Sequence, residues 1–249
     1  MCEKKMTEKK QGRRSAKDAE ETRFLIMSVA ADMFCEHGYD SVSLRNISEK
    51  ASVSHSLIRH HFGSKEKIWH AISDCLHEYF QSYIAKIVEE LPKGIAPNIT
   101  IYLFSMRLFS NMIHSRKPMQ LITDSVRQKD NLVDYFIDNV GNVERQIHML
   151  AEEYNDANPD NLINIYEIKW QMIMYAHGAV CLTPFMESTW NEGDMQSTPE
   201  EALLKHWQLF NKQMISMFNI SEEWILNPSS IEELIYEVPC VWKCNQEHH

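Results

Sequence analysis

The sequence predicts an all-α protein in which a small helix-turn-helix domain precedes a larger helical domain. Apolar residues recur at spacings of three and four along most of the 249 residues, and no stretch alternates apolar and polar residues as a half-buried strand would. Charge is uneven, because residues 1–75 hold 13 Lys and Arg against 11 Asp and Glu, whereas residues 76–249 hold 12 against 24. This division favours a smaller unit that tolerates polyanions and a larger acidic unit.

The first nineteen residues are rich in lysine and arginine and predict a flexible basic arm. Within it, Lys9, Lys10, Arg13 and Arg14 either keep the chain in solution or reach a neighbouring DNA groove.

Three serines mark helix starts in the domain after the arm. Ser43, Ser54 and Ser64 each precede a helical pattern as N-cap residues, and Gly38 ends the helix that comes before them. The predicted helical spans, with their caps, are 20–37, 43–50, 54–61 and 64–91.

Residues 43–61 read as a short helix, a short turn and a second short helix. The small Ala51 and the apolar Val53 would let the two helices cross closely. Apolar residues of the surrounding helices would hold the pair in place: Phe34, Ile47, Ile58, Phe62 and Ile68. This arrangement is a helix-turn-helix, whose second helix lays its first residues in the major groove of DNA.

Amphipathic helices dominate the remainder of the chain. Asn158-Pro159 predicts a cap before a proline in the first helical position, Thr198 begins a capping box with Glu201, and Ser230 begins another. The predicted spans are 98–114, 119–128, 131–155, 159–183, 199–219 and 230–237. The predicted domains are the arm (1–19), the helix-turn-helix domain (20–68), the larger helical domain (69–220) and a C-terminal extension (221–249).

The composition, at 44% hydrophobic and 24% charged residues, is that of a soluble globular protein. The N-terminal residues are charged, and no apolar run approaches the ~18 residues of a membrane span, so neither a signal peptide nor a membrane helix is expected. Six scattered cysteines are typical of reduced thiols. These features predict a cytoplasmic protein.

No enzyme motif is present in the sequence. The seven glycines are too far apart for a phosphate-binding loop, and there is no Gly-x-Ser-x-Gly elbow. We therefore predict no catalytic residues, no cofactor and no enzymatic activity.

Two groups of histidines and cysteines raise the question of a metal site. His55, His60 and His61 point to different sides of a helix and cannot converge on one ion. The C-terminal residues Cys240, Cys244, His248 and His249 are either a frayed terminus or metal ligands. Because structural zinc sites show tighter cysteine spacing, we predict no metal.

A combined motif between Thr22 and Ile72 carries a family resemblance. Its residues are Thr22-Arg23, Ala30, Phe34, Gly38-Tyr39, Leu44-Arg45, Ile47, Val53-Ser54, His61-Phe62 and Ser64-Lys65-Glu66. The motif resembles the DNA-binding domain of TetR-family transcriptional regulators and covers about a fifth of the chain. The resemblance implies a homodimeric, ligand-responsive repressor that binds a near-palindromic double-stranded DNA operator and a small-molecule effector.

The predicted DNA-contacting residues lie in and beside the two short helices. They are Ser43, Arg45, Ser54, His55, Ser56, Leu57, Arg59, His60, His61 and Lys65. Arg59 stands where the family commonly has an aromatic residue, so base preference cannot be copied from relatives. Its guanidinium could take a guanine edge or a phosphate. Lys65 lies in the first turn of a helix, where its ammonium and the free N–H groups favour a phosphate.

The larger domain holds the remaining predicted sites. The resemblance places a ligand pocket within roughly residues 76–180, with the lining candidates Tyr102, Met106, Phe109, Met112, Phe136 and Trp170. It places the subunit interface on the last two main helices, with the candidates Ile163, Tyr166, Trp170, Ile173, His177, Leu203, Trp207, Phe210 and Met214. Stripes this apolar are also typical of a protein core.

Two other functions remain compatible with the sequence. One is a helical ligand-binding enzyme that retains the helix-turn-helix fold, and the other is a protein-interaction module that retains it without binding DNA.

Overall fold

The computed structural model of the chain describes residues 9–126, 141–191 and 197–238. Regular structure within these ranges is entirely helical, which confirms the predicted all-α fold. The helices in chain order are α1 (Lys9–His37), α2 (Leu44–Lys50), α3 (His55–His61), α4 (Lys65–Glu90), α5 (Pro97–His114), α6 (Arg116–Val126), α7 (Gly141–Ala157), α8 (Ile165–Cys181), α9 (Thr183–Thr189) and α10 (Pro199–Phe218). Two 3₁₀ turns follow, at Glu222–Trp224 and Ile231–Leu234.

The first helix begins at Lys9 and not at residue 20 as the sequence predicts. Residues 9–20 consist mainly of lysine, arginine, glutamine, glutamate and alanine, which have high helix propensity, and contain no proline. The basic residues predicted for a flexible arm therefore extend α1. Residues 1–8 lie outside the described ranges.

A first hydrophobic core holds α1, α2 and α3 together with the start of α4. All five residues predicted for this core are buried there: Phe34, Ile47, Ile58, Phe62 and Ile68. Leu121 of α6 enters the same core, 1% exposed, although it is distant in sequence from the other members. We call the unit formed by α1, α2, α3 and the start of α4 the head. Its core is thus completed by a residue of the larger domain.

A second core fills the larger domain, and α4 belongs to both cores. Ile72 and Leu76 of α4 pack in the head, whereas Tyr83 and Ile87 of the same helix pack in the second core. The transition between the two units therefore falls within a continuous helix.

The second core contains three residues predicted for a subunit interface. Trp207, Phe210 and Met214 of α10 are fully buried within the chain, and the Phe210 ring lies 4.4 Å, centroid to centroid, from that of Phe109. Because α10 packs these side chains against α5, they belong to the core of the chain, which is one of the two roles that their apolar stripe allows.

The predicted N-caps are confirmed at the local motifs. The hydroxyl oxygens of Ser43, Ser54 and Ser64 accept hydrogen bonds from backbone N–H groups of the turns that follow. Thr198 and Glu201 form the predicted capping box at the start of α10. Gly38 ends α1 with a φ of 78°, a conformation that favours glycine.

Two predicted helix starts are wrong, because tertiary contacts decide the local conformation. No helix begins at Pro159. The amide of Asn155 instead holds the backbone of Ile163, and α8 begins after Asn164. At Ser230 a 3₁₀ turn forms without a side-chain cap. The predicted helix 159–183 also ends early, at Cys181, and the short α9 with its early proline follows.

Residues 221–238 of the predicted C-terminal extension pack onto the second core. The Tyr102 hydroxyl donates a hydrogen bond to Asn211 Oδ1 at 2.8 Å and accepts one from the Leu226 N–H at 3.0 Å. The Asn211 amide donates to the Leu226 carbonyl at 3.0 Å. Burial raises the pKa of Tyr102 above its ordinary value. Tyr102 thus fastens this segment to α5 and α10.

No helix in the described ranges combines the length and apolarity that crossing a membrane requires. The same ranges contain no group of three or more histidine, cysteine or acidic side chains able to hold a metal ion. The tail residues Cys240, Cys244, His248 and His249 lie outside them.

Candidate nucleic-acid interface and internal cavity

The first helix of the helix-turn-helix, α2, is set by a reciprocal cap. Ser43 Oγ accepts a hydrogen bond from the Asn46 N–H at 3.1 Å, and Asn46 Oδ1 accepts one from the Ser43 N–H at 3.0 Å. Ile47 is fully buried beneath the helix, and Arg45 projects outward with its side chain 83% exposed. This geometry places Arg45 on the surface near the helix N-terminus.

The turn between the two short helices is tight and held by backbone bonds. The Val53 N–H donates to the Ser48 carbonyl at 3.0 Å, and Ser52 adopts a left-handed conformation with φ of 54°. Ala51 is buried, which lets α2 and α3 approach each other as the sequence predicts.

The second short helix, α3, presents a polar surface above two buried anchors. Ile58 is fully buried and Phe62, just after the helix, is 5% exposed. His55, Ser56, Arg59 and His60 are exposed on the opposite side, and Leu57 and His61 are half-buried. Four of the predicted DNA-contacting residues therefore share an accessible face.

The two arginines of the helix-turn-helix differ in their surroundings. Arg45 Nε lies 2.9 Å from Glu49 Oε1, and this hydrogen bond raises the pKa of the guanidinium. No carboxylate of the described residues lies within 4.0 Å of Arg59. A phosphate must compete with Glu49 for Arg45, whereas no carboxylate of the described residues competes for Arg59.

The histidines at the end of α3 also differ from each other. Burial, with smaller contributions from His60 and Arg23, lowers the pKa of His61 below its ordinary value. The uncharged form of His61 is therefore favoured in the free protein, and His60, which is exposed, is the better placed of the two for a phosphate.

The predicted phosphate contact Lys65 already has partners within the head. Its ammonium donates a hydrogen bond to the Tyr39 carbonyl at 2.8 Å and lies 4.0 Å from the centroid of the Tyr39 ring. Lys65 thus ties the turn after α1 to the start of α4. It can engage a phosphate only with a donor that these contacts leave available.

The larger domain contains a cavity of about 470 Å³ between α4, α5, α6, α7 and α8, and its lining includes the exposed side chains of Tyr166 and Trp170. A cavity of this size suits a drug-sized ligand. Its apolar lining includes Phe80, Ile84, Leu108, Met119, Ile122 and Ile173, and Asn111 is a polar residue in its wall.

Two of the predicted ligand residues line the cavity and three do not. Met112 and Trp170 are part of the lining. Met106 and Phe109, like Tyr102, are fully buried in the second core and do not line the cavity. The Phe109 ring packs against Phe210 of α10, and the Tyr102 hydroxyl contacts α10 and the C-terminal segment. Phe136 lies outside the described residues.

The predicted lining candidates include no described residue of α4, α6 or α7, because the cavity forms only where these helices meet α5. One local signal was available. Asn111 lies on the buried stripe of α5, where an amide side chain must find a partner.

The sequence similarity of the chain to known proteins lies mainly in the head. Residues 26–72 match the model of a family described as "Bacterial regulatory proteins, tetR family". The HTH-type transcriptional repressor Rv3405c of Mycobacterium tuberculosis is 37% identical over 57 residues, which are 23% of this chain and 30% of the repressor. The regulatory protein RaaS of the same organism is 44% identical over 57 residues, 23% of this chain and 26% of RaaS. The chain thus aligns with only about 30% of the length of these curated relatives.

Solved structures resemble the chain over most of its length but at low identity. A TetR-family transcriptional regulator from Bordetella parapertussis has a TM-score of 0.50 at 16% identity, over 83% of this chain and 98% of its own. The superantigen PfiT has a TM-score of 0.53 at 18% identity, over 76% of this chain and 96% of its own. These similarities support the two-part helical fold alone.

The matched segment begins in the buried half of α1 and ends in the part of α4 that packs in the head, so it coincides with the first core. The similarity of the chain to the tetR family of bacterial regulatory proteins therefore lies in this N-terminal domain.

Proposed function

We propose that the chain is a cytoplasmic transcription regulator that binds double-stranded DNA as a homodimer and represses its target until a small molecule binds. The observation that carries the proposal is the exposed face of α3. There, His55, Ser56 and Arg59 stand above the buried Ile58 in a segment that matches the tetR family. Such a helix presents its first residues to base edges in the major groove.

The contacts divide into two kinds in this proposal. Arg59, His55 and Ser56 read base edges, since they lie on the accessible face of α3. Arg45 and His60 bind phosphates at the sides of the groove, and Ser43 and Ser54, whose hydroxyls cap helices, offer exposed N-terminal turns to further phosphates.

An apolar surface stripe supports the homodimer. Tyr166, Trp170 and Met174 follow one another at intervals of four residues along α8 and are 57%, 61% and 49% exposed. Phe185 of α9 is 73% exposed. Exposed apolar surface of this extent is typical of a subunit interface. Of the predicted interface residues, Ile163, Ile173, His177 and Leu203 are half-buried and remain compatible with it.

The cavity supports the small-molecule effector. It is largely apolar, it lies in the larger domain, and α6 forms part of its wall while Leu121 of the same helix enters the head core. A ligand that favours one position of α6 would therefore also affect the position of the head.

Selection of binding sites from a random duplex library with the full chain tests the proposal. We expect enrichment of a near-palindromic sequence. The variant Arg59→Ala should bind this sequence with an affinity lower by about tenfold or more, since a bidentate base contact is worth about 1–3 kcal/mol. Fluorescence anisotropy with the selected duplex measures this affinity.

Lys212→Ala provides the matched control, because Lys212 is an exposed cation on α10 and the substitution removes the same charge away from the head. Its affinity should equal that of the unaltered chain. No enriched sequence, or equal loss in both variants, would contradict the assigned DNA face.

A further inference from the structure

The cavity wall contains a buried polar group that has no hydrogen-bond partner among the described residues. Asn111 is 1% exposed and lines the cavity, yet its Nδ2 has no hydrogen-bond partner there. A buried amide N–H without a partner costs about 1–3 kcal/mol, so native proteins seldom retain one without a reason.

A hydrogen bond from Tyr79, on the core side, sets the orientation of this amide. The Tyr79 hydroxyl donates a hydrogen bond to Asn111 Oδ1 at 2.6 Å, and Tyr79 is itself buried in the second core. Tyr79 is not part of the cavity lining, so the carbonyl end of the amide is occupied from the core side. The donor end is the one left without a partner.

The remaining surface of the cavity determines what else that occupant must be. Apolar side chains from α4, α6 and α8 form much of the remaining wall, including Phe80, Met119 and Ile173. A volume of about 470 Å³ accommodates a molecule of drug size. Most of the occupant must therefore be hydrocarbon, with a polar atom at Asn111.

A charged end group is disfavoured at Asn111. A carboxylate there would lose its hydration and gain one neutral donor, and burying an ion without a paired charge is costly. Of the three cationic or imidazole side chains in the wall, Lys169 is exposed on α8 and His77 is buried but engaged in interactions within the chain. The third, His148, is half-buried and shares a hydrogen bond with the Tyr166 hydroxyl at 3.1 Å. A neutral oxygen acceptor loses much less on burial.

We propose that the effector is an uncharged apolar molecule with a carbonyl oxygen, of the ketone, ester or amide type, that accepts a hydrogen bond from Asn111 Nδ2. This inference rests on the proposed ligand response and specifies the chemical class of the ligand. Tyr79 acts as a positioning residue, because its hydroxyl occupies the carbonyl end of the amide and leaves the donor end for the ligand.

A matched set of small molecules tests the acceptor. 2-Undecanone and 2-methyl-1-undecene have the same carbon skeleton apart from the carbonyl oxygen, which a methylene group replaces in the alkene. Undecanoate carries a carboxylate on a chain of similar length. Each competes with the fluorescent N-phenyl-1-naphthylamine for the full chain at pH 7.

We expect the ketone to displace the dye at about tenfold lower concentration than the alkene, in line with one buried hydrogen bond, and undecanoate to be weaker than the ketone. Asn111→Leu, which keeps a similar volume without the donor, should bind the ketone no more tightly than the alkene, because the ketone oxygen would then be buried without a hydrogen bond. Equal affinity of the unaltered chain for ketone and alkene would overturn the proposal, and this comparison needs no variant.

Tighter binding of undecanoate than of the ketone would also overturn it, in favour of an anionic ligand. Failure of all three molecules to displace the dye would exclude this class from the cavity. The measurement contains no DNA. A chain that selects no duplex can therefore still prefer the ketone in the displacement measurement, and a chain that selects an operator can lack this preference. The two proposals thus fail independently.

Discussion

At the scale of single residues, the turn of the helix-turn-helix contains a local conflict. Ser52 has a φ of 54°, in the left-handed region where a side chain carries a steric cost of about 1–2 kcal/mol and glycine carries none. Its neighbours impose this conformation, because the Val53 N–H must reach the Ser48 carbonyl for α3 to follow α2 closely. Tertiary packing thus holds an exposed serine in a conformation that it does not favour.

We expect Ser52→Gly to stabilise the chain by about 0.5–1 kcal/mol, after allowance for the greater freedom of glycine in the unfolded state. The midpoint of urea unfolding measures this change. Ser52→Ala is the control, since it removes the hydroxyl but keeps the Cβ atom, and should give no gain. A glycine variant no more stable than the alanine variant would show that backbone strain is not the cause.

The residues that carry function were predictable to different degrees. The α3 face followed from a short motif in which Ser54 starts the helix and Ile58 anchors it, so spacing alone indicated which side chains remain outside. Asn111 could not be identified in this way. Its significance depends on Tyr79, on a different helix, which occupies one end of the amide.

At the scale of elements, sequence reasoning succeeded where a helix end is a local event. Thr198 and Glu201 satisfy each other within one turn, so the start of α10 was readable. Asn158-Pro159 resembled an equally good start, but Asn155 binds the Ile163 backbone and delays α8. The spacing of residue types does not reveal hydrogen bonds between segments, and such bonds determine where α8 begins.

Helix α6 connects the two parts of the molecule through its opposite faces. Met119 and Ile122 line the cavity, whereas Leu121 packs in the head. Two polar contacts reinforce the second face: Asp124 Oδ2 accepts a hydrogen bond from the Tyr39 N–H at 2.8 Å, and the Lys117 ammonium lies 2.6 Å from Asp32 Oδ1. An element so placed can link occupancy of the cavity to the position of α1.

We expect Asp124→Ala to accelerate amide hydrogen exchange at Tyr39 by about tenfold or more, because a hydrogen bond to a charged group contributes about 1.5–3 kcal/mol. Asp124→Asn is the conservative comparison, since its amide oxygen can still accept from the Tyr39 N–H, and should retain most of the protection. Hydrogen exchange measured by NMR at this amide distinguishes them. Unchanged protection in the alanine variant would argue against the contact as a link.

At the scale of the whole molecule, the exposed apolar stripe predicts self-association. Met174 and Phe185 are 49% and 73% exposed, and neither lines the cavity. We expect the unaltered chain to be a dimer and the double variant Met174→Lys, Phe185→Lys to be a folded monomer, because two charges at each surface would have to be buried in the interface.

Analytical ultracentrifugation gives the molecular mass of each protein. Val88→Lys is the control, since Val88 is an apolar residue of α4 with 40% exposure and its substitution adds a charge outside the stripe. A monomeric unaltered chain, or a double variant that remains a dimer, would place the subunit contact elsewhere or exclude it.

Leu121 limits how the molecule can be divided. A fragment that stops after α4 would contain nearly all the residues of the first core but would lack the side chain that closes it, because Leu121 enters from α6 with only 1% of its surface exposed. Loss of a buried leucine from a core removes about 2–5 kcal/mol of stability. The transplantable DNA-binding module therefore extends through α6, and a chimera that grafts this head onto another effector domain must carry α6 with it.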